Sequence, residues 1–350
     1  MPTFSLQAPT IEAIYACVPP NRIKTEEYPG FNAEQRALFT KSTGVIERRV
    51  ADDKTTCSDL CYQAAVSLLS DLNVKEEIDL VLFVSQSPDY FLPSTAVLLQ
   101  ERLGLTNQTM AFDINLGCSG YGYGLTTAAQ FIQTGSARKV LFLVWDKSML
   151  STHPEDRSTT PLFGDAGTAT LLGASTDPGA MVVDAGSDGK GNQAIIIPGG
   201  HSRHPYGTFS NDSFEVDGIV RTKNHLHLDG FAVFNFALQR VPLTLQRVLN
   251  AASFSMDDID WVVFHQANKL ISSTIEKKLK ISPEKVLHSI ESFGNTSSAS
   301  IPLTIAWNAD KGIPSKSFTW LLCGFGVGLS WSTVCLTMPW PKTKVFDYEG

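Results

Sequence analysis

Three side chains in this sequence can carry acyl-transfer chemistry: the thiol of Cys118, the imidazole of His265 and the carboxamide of Asn295. Cys118 lies in Asp113-Ile114-Asn115-Leu116-Gly117-Cys118-Ser119-Gly120, where an apolar strand pattern stops and a helix of small residues starts. Flanking glycines permit a sharp turn and let a substrate come close to the backbone. A helix N-terminus favours thiolate over thiol and offers free N–H groups, and an acyl-transfer nucleophile uses both. A buried small residue in a tight turn has the same local signature, so the segment alone leaves both readings open. His265 follows the apolar run Trp261-Val262-Val263-Phe264, at the carboxyl end of a strand, where α/β proteins place ligands. Asn295 sits in the turn Ser292-Phe293-Gly294-Asn295-Thr296-Ser297-Ser298. Singly, the histidine also fits a core or capping role, and the asparagine a helix cap. Three such residues, each at a turn between apolar elements, together point to a site.

The run Gly324-Phe325-Gly326-Val327-Gly328 lacks G-x-G-x-x-G spacing and leads into Leu329-Ser330-Trp331-Ser332, a strand rather than a helix. A phosphate cradle fails that context. A strand end that approaches the substrate and offers an N–H fits it.

The elements that must position these residues follow a strand–helix rhythm in two stretches. In the first, Leu80–Ser85 reads as a strand, Ser94–Leu103 as a helix, Ala111–Ile114 as a strand, Tyr121–Thr134 as a helix and Lys139–Trp145 as a strand. In the second, Asp229–Leu249 is a long amphipathic helix, Trp261–Phe264 a strand, Lys269–Leu279 a helix and Ser298–Asn308 helical. Strands Ser317–Cys323 and Ser330–Leu336 complete it. Near-continuous apolar strands alternating with helices predict an α/β fold with sheets covered on both faces. Gly186–Asn224, rich in Gly, Ser, His, Asn and Pro, has no periodicity and reads as a functional loop or lid. The tail from Pro339 is polar and reads as peripheral.

With 43% hydrophobic and 18% charged residues among 350, the chain is long enough for two core units. A net charge of -7 gives no general affinity for nucleic acid or anionic membranes. Its most apolar stretches, such as Val140–Trp145 and Ala194–Ile197, fall far short of a membrane span. Met1 to Pro9 lack the charged and apolar regions of a signal peptide, so a cytoplasmic protein with reduced thiols is expected. Cys57 and Cys61, four apart, read as two semi-buried thiols on one helix face, and no metal is expected.

His265-Gln266-Ala267-Asn268, Gly294-Asn295-Thr296-Ser297 and Gly326-Val327-Gly328-Leu329-Ser330-Trp331 resemble the hallmark segments of β-ketoacyl-acyl-carrier-protein synthase III enzymes. The Cys118 turn, Phe163-Gly164-Asp165-Ala166-Gly167 and Ser42-Thr43-Gly44-Val45-Ile46-Glu47-Arg48-Arg49 match further family segments, in the family's order. The resemblance implies a thiolase-like five-layered α-β-α-β-α fold of two duplicated halves, 1–178 with the cysteine and 179–350 with the histidine and asparagine, and a homodimer. It implies a ping-pong condensation: Cys118 takes an acyl group from coenzyme A or the phosphopantetheine of an acyl carrier protein, as substrates rather than tightly bound cofactors. A malonyl thioester then loses carbon dioxide and attacks as an enolate. His265 and Asn295 hydrogen-bond the thioester oxygen, while the N–H groups of Cys118 and Gly328 form an oxyanion hole. Substrate contacts implied in the same way are Arg157, Asn268, Phe163, Leu226, Leu228 and Phe234, with Leu92 reaching in from a partner subunit.

Departures bound that implication. The family's adenine-side Trp and Arg align with Leu38 and Ser42, and its carrier-docking Arg with Leu270 beside Lys269. These point to a specialised paralogue whose thioester arm is recognised but whose donor head group differs. Leu92 replaces an aromatic residue of some short-chain members, which predicts room for a longer acyl chain. Two rivals share the fold: an acyltransferase to oxygen or nitrogen, and a non-decarboxylating head-to-head or hydroxymethylglutaryl-type enzyme that uses a Glu base. Ser85-Gln86-Ser87-Pro88-Asp89-Tyr90 holds no Glu, and Asp89 keeps the second rival open. A papain-like hydrolase is excluded by the missing C-G-[SA]-C-[WY] context. A non-catalytic partner subunit is disfavoured by the presence of all three residues.

Overall fold

The computed structural model describes residues 3–176, 179–216, 218–312 and 316–350. The chain opens with β1 (Thr3–Gln7), β2 (Thr10–Val18), β3 (Arg22–Lys24), α1 (Ala33–Thr43), β4 (Glu47–Arg49) and α2 (Cys57–Leu72). The first rhythmic stretch then folds as β5 (Leu80–Val84), α3 (Thr95–Arg102), β6 (Met110–Ile114), α4 (Gly120–Gln133) and β7 (Lys139–Val144). Next come β8 (Gly167–Gly173), β9 (Ala180–Ser187) and the short β10 (Ile195–Ile196), β11 (Phe214–Val216), β12 (Ile219–Arg221) and β13 (His227–Leu228). The second stretch is α5 (Gly230–Ala252), β14 (Trp261–Phe264), α6 (Lys269–Leu279), α7 (Ile290–Phe293) and α8 (Ser300–Trp307). It ends with β15 (Ser317–Gly326), β16 (Ser330–Pro339) and β17 (Lys342–Asp347).

Local chemistry sets the helix ends. Asn32 and Gln35 form a reciprocal capping box at α1, and Asp229 accepts the Ala232 N–H at 2.9 Å to start α5. Two sheets organise the rest, one ordered β17-β2-β8-β7-β5-β6 and one ordered β1-β9-β16-β15-β14. Helices α2 and α3 cover the outer face of the first sheet, and α5 and α6 that of the second. Helices α4 and α8 pack between the sheets, where the largest apolar core lies. The order is α-β-α-β-α, as expected. Strands β5 and β8 are buried at every residue, which is why β5 reads as an unbroken apolar run. Helix α4 wedges between the sheets on small residues; a Cβ at Gly122 would collide with the Ser332 hydroxyl.

Two expectations are revised. The polar tail is no loose periphery: β17 pairs in parallel with β2 as an edge strand, and its alternation reads polar because one face is wet. Gly186–Asn224 is not featureless, since β11 and β12 form a hairpin and β10 pairs with β13. The expected boundary at 178/179 touches residues 177–178, which lie outside those described. Both termini cross it, with β1 in the second sheet and β17 in the first. Cys57 and Cys61 are both buried on α2. Among the described residues, no helix is long and apolar enough to cross a membrane.

Candidate active site

Cys118 occupies the turn between β6 and α4 and is partly buried. The next residue, Ser119, has its Oγ 2.8 Å from Ser330 Oγ, and Ser330 Oγ donates to the Val327 carbonyl at 2.7 Å. These bonds pin the cysteine turn to the end of β15. Gly326, at φ +155°, passes that strand end across the thiol; a Cβ there would lie 2.6 Å from Cys118 Sγ.

The lowering of the thiol's pKa expected from the helix N-terminus is outweighed by burial. Burial raises it above the ordinary thiol value, and the facing carboxylate of Asp146 adds to the rise. The Val327 N–H, the N–H of Cys118 itself and the Ser297 hydroxyl pull in the opposite direction. The backbone group that lowers it most is the Val327 N–H. Asp146 in turn accepts the Gln86 N–H at 2.6 Å and the Ser298 hydroxyl at 2.7 Å.

His265 extends from β14, with its N–H donating to the Cys323 carbonyl at 2.8 Å. The ring is 1% exposed, lies edge-on to Phe325, and places Nδ1 2.8 Å from Ser300 Oγ. Burial depresses its pKa to about 4, against a smaller opposing contact with the Ser297 carbonyl. His265 is thus neutral at physiological pH.

Asn295 is held by Phe163, its bridge partner: the Asn295 N–H donates to Leu162 at 2.9 Å, and the Gly164 N–H donates to Asn295 at 3.0 Å. Asn295 Oδ1 accepts the Ser297 N–H at 2.9 Å, which leaves the carboxamide NH2 as its free end. Two matched sequence segments brace this turn. Arg48 donates to the Phe163 carbonyl at 3.2 Å, and the Asp165 N–H donates to the Arg49 carbonyl at 2.8 Å. Asp165 itself is buried, its pKa pushed to about 6 by desolvation despite the Ala51 N–H, the Trp145 indole, Lys147 and Arg48. The fold therefore gathers Cys118, His265 and Asn295 around the end of β15 and the 295–297 turn. A thiol, a neutral imidazole and a free carboxamide donor in a largely buried setting can accept an acyl group and stabilise an oxyanion.

The remaining expected residues are more dispersed. Phe163 is buried at the Asn295 bridge, and Leu226 is buried with its N–H on Ser151 at 2.6 Å. Leu228 lies on β13 opposite Ile195, and Phe234 is half-buried against the α5 core. Arg157 is half-buried beside Gly218. Asn268 caps α6 through Oδ1 on the Ile271 N–H at 2.8 Å. Leu92 is 83% exposed on a loop shared with exposed Tyr90 and Phe91, outside the chain's own interior. Helix α1 abuts α6, with the Cβ position of Gly44 3.0 Å from Lys269 Cβ. Leu38 and Leu270 on those helices are 66% and 50% exposed. Asp89 is committed as a helix-start acceptor, taking the Ser58 N–H at 3.0 Å, while the side chain over the cysteine turn is neutral Gln86. Ser297, Ser300, Asp146 and Val327 were not singled out from sequence; only the serine-rich turn hinted at them.

This fold and this grouping define a thiolase-like condensing enzyme. Sequence profiles described as 3-oxoacyl-[acyl-carrier-protein (ACP)] synthase III and its C-terminal part match residues 112–189 and 249–338. A β-ketoacyl-[acyl-carrier-protein] synthase III of Rhodopirellula baltica is 38% identical over 334 residues, 90% of this chain and 94% of that one. One of Clostridioides difficile is 36% identical over 291 residues, covering 83% and 86%. The crystal structure of a 3-oxoacyl-(acyl-carrier protein) synthase from Burkholderia xenovorans LB400 superposes with a TM-score of 0.92 at 35% identity, over 99% of both chains. The priming β-ketosynthase of the R1128 polyketide pathway gives 0.84 at 26%, over 95% and 97%. The chain belongs to the β-ketoacyl-acyl-carrier-protein synthase III family of acyl-transferring condensing enzymes.

Proposed function

We propose that Cys118 carries the acyl group and that His265 and Asn295 serve the decarboxylative step. The Cys118 thiolate attacks the donor thioester; its carbon–sulfur bond forms, the donor's breaks, and the departing thiolate takes the proton that Cys118 lost. A malonyl thioester then loses carbon dioxide, and the electron pair of the broken carbon–carbon bond enters the thioester as an enolate. The neutral His265 and the free NH2 of Asn295 hydrogen-bond its oxygen. The enolate carbon attacks the acyl carbonyl and releases Cys118 as thiolate. The N–H groups of Cys118 and Gly328 form the oxyanion hole. The observation that carries this reading is the grouping of Cys118, buried His265 and Asn295 at the end of β15 and the 295–297 turn. The commitment of Asp89 to a helix start, away from any base role, supports decarboxylation over proton abstraction.

Donors are acyl thioesters of coenzyme A or an acyl carrier protein. Asn268 meets the pantetheine arm, Arg157 the adenine side of a coenzyme A donor, and Phe163, Leu226, Leu228 and Phe234 form the acyl wall. Leu38 in place of the family's Trp, and Ser42 and exposed Leu270 in place of its Arg residues, favour a donor whose head group is gripped less by stacking and charge. A homodimer in which Leu92 enters the partner's acyl pocket accounts for the exposure of Tyr90, Phe91 and Leu92. We place the enzyme in the cytoplasm, with its two halves as the duplicated units.

The test is acyl loading. Incubation with a panel of acyl-coenzyme A and acyl-carrier donors should add the acyl mass to the peptide holding Cys118, and Cys118→Ala should abolish it. Loading at another residue would overturn the assignment.

A further inference from the structure

Ser300, the first residue of α8, spends its hydroxyl on another element of the fold. Its Oγ lies 2.8 Å from His265 Nδ1 and accepts the Gln266 N–H at 3.3 Å, both at the end of β14. A serine at a helix start ordinarily caps its own helix, but α8 is led by Ala299 with no side-chain cap. The contact is interior, with Ser300 0% and His265 1% exposed. A buried set of hydrogen bonds holds Ser300 in place against the histidine turn. Thr304 Oγ1 donates to the Ser300 carbonyl at 2.7 Å, so the Ser289 hydroxyl, 2.7 Å from Thr304 Oγ1, is the donor of that pair. Gln266 closes the loop, its Oε1 accepting the Ser289 N–H at 3.1 Å and its Nε2 donating to the Phe264 carbonyl at 2.8 Å.

These bonds decide where the imidazole keeps its proton. A neutral ring carries one N–H, and its other nitrogen is an acceptor. Among the described residues, Ser300 Oγ has two partners, and one of them, the Gln266 N–H, can only donate. The hydroxyl's single proton therefore goes to Nδ1. A proton on Nδ1 instead would strand the buried hydroxyl proton without an acceptor. Nε2 is left as the N–H of the ring.

Resting on the reading of His265 as a donor to the malonyl thioester oxygen, we propose that Ser300 is a positioning residue that fixes the tautomer of that donor, holding the ring proton on Nε2. The opposite tautomer would turn a lone pair towards the developing enolate and repel it. Ser300 acts through the ring.

The test reads the tautomer directly. Two-bond proton–nitrogen spectra of the full chain, grown with isotope-labelled histidine, show which ring nitrogen is protonated, and His265→Gln identifies the His265 signals. The wild type should carry its proton on Nε2 at neutral pH. Ser300→Ala should mix the two tautomers, and Ser300→Thr, which keeps the hydroxyl, should restore the wild-type spectrum. Ser300→Ala should also slow carbon dioxide release from the acyl-loaded enzyme about tenfold, with half-saturation by malonyl thioester unchanged and acyl loading much less affected. A proton on Nδ1 in the wild type would overturn the proposal, and so would a wild-type spectrum in Ser300→Ala. Equal losses of loading and of carbon dioxide release would reduce Ser300 to a structural role. Should Ser300→Ala not fold, the spectra of the wild type and Ser300→Thr decide. Failure of the underlying reading looks different: the loaded wild type would then release no carbon dioxide from malonyl thioester while its His265 proton still sits on Nε2.

Discussion

The hydroxyls of Ser119 and Ser330, 211 residues apart in sequence, lie 2.8 Å from each other. Because Ser330 donates its own proton to the Val327 carbonyl at 2.7 Å, Ser119 must donate to Ser330. The relay joins the residue after Cys118 to the strand end that passes across the thiol at Gly326. Ser330→Ala should therefore cost about 1–2 kcal/mol of stability and slow acyl loading. Urea unfolding and the loading rate measured on the same preparation check this. An unchanged loading rate would reduce the pair to a structural tie.

Gly326→Ala should abolish loading more completely than it destabilises the fold. The added Cβ would sit 2.6 Å from Cys118 Sγ, at a φ of +155° that side chains rarely adopt. Circular dichroism should show a folded protein, and mass spectrometry an unloaded Cys118.

His265→Ala and Asn295→Ala should each slow condensation on the order of 100-fold, the usual loss for one oxyanion donor. Acyl loading, which relies on Cys118 and backbone N–H groups, should fall much less. Separate rates for loading and for carbon dioxide release test the split.

The pH dependence follows from the sign of the His265 shift. Its folded pKa of about 4 lies below the ordinary 6.5, so the neutral ring stabilises the fold fully above pH 6.5. That contribution, about 3 kcal/mol, is lost as pH falls towards 4. Asp165 runs the other way, because its raised pKa of about 6 favours the protonated form as pH falls. The difference between wild type and His265→Gln in denaturant titrations from pH 7 to 4 isolates the histidine and should shrink across that window. Condensation by the wild type should show no histidine ionisation between about pH 5.5 and 8.

Much of this was legible in sequence for a physical reason. Strands buried on both faces, such as β5 and β7, must be apolar throughout, and residues that end them at turns, such as His265, stand out. What was not legible depends on long-range packing. Edge strand β17 has one wet face, so it reads as tail. The sign of the Cys118 shift depends on how deeply the turn is buried and on Asp146, neither of which its neighbours in sequence reveal. The left-handed turn at Ser297 likewise has no signature in a serine-rich run.

The central claim is that acyl-Cys118 is consumed by a decarboxylating partner. Its most direct test is a single turnover: load the enzyme with acyl thioester, remove excess donor, add malonyl thioester, and follow carbon dioxide, product and the Cys118 peptide together. The account predicts one carbon dioxide and one β-ketoacyl thioester for each acyl group lost from Cys118. Loss of the acyl group without carbon dioxide release, whether to an alcohol, an amine or a non-decarboxylated product, would contradict it.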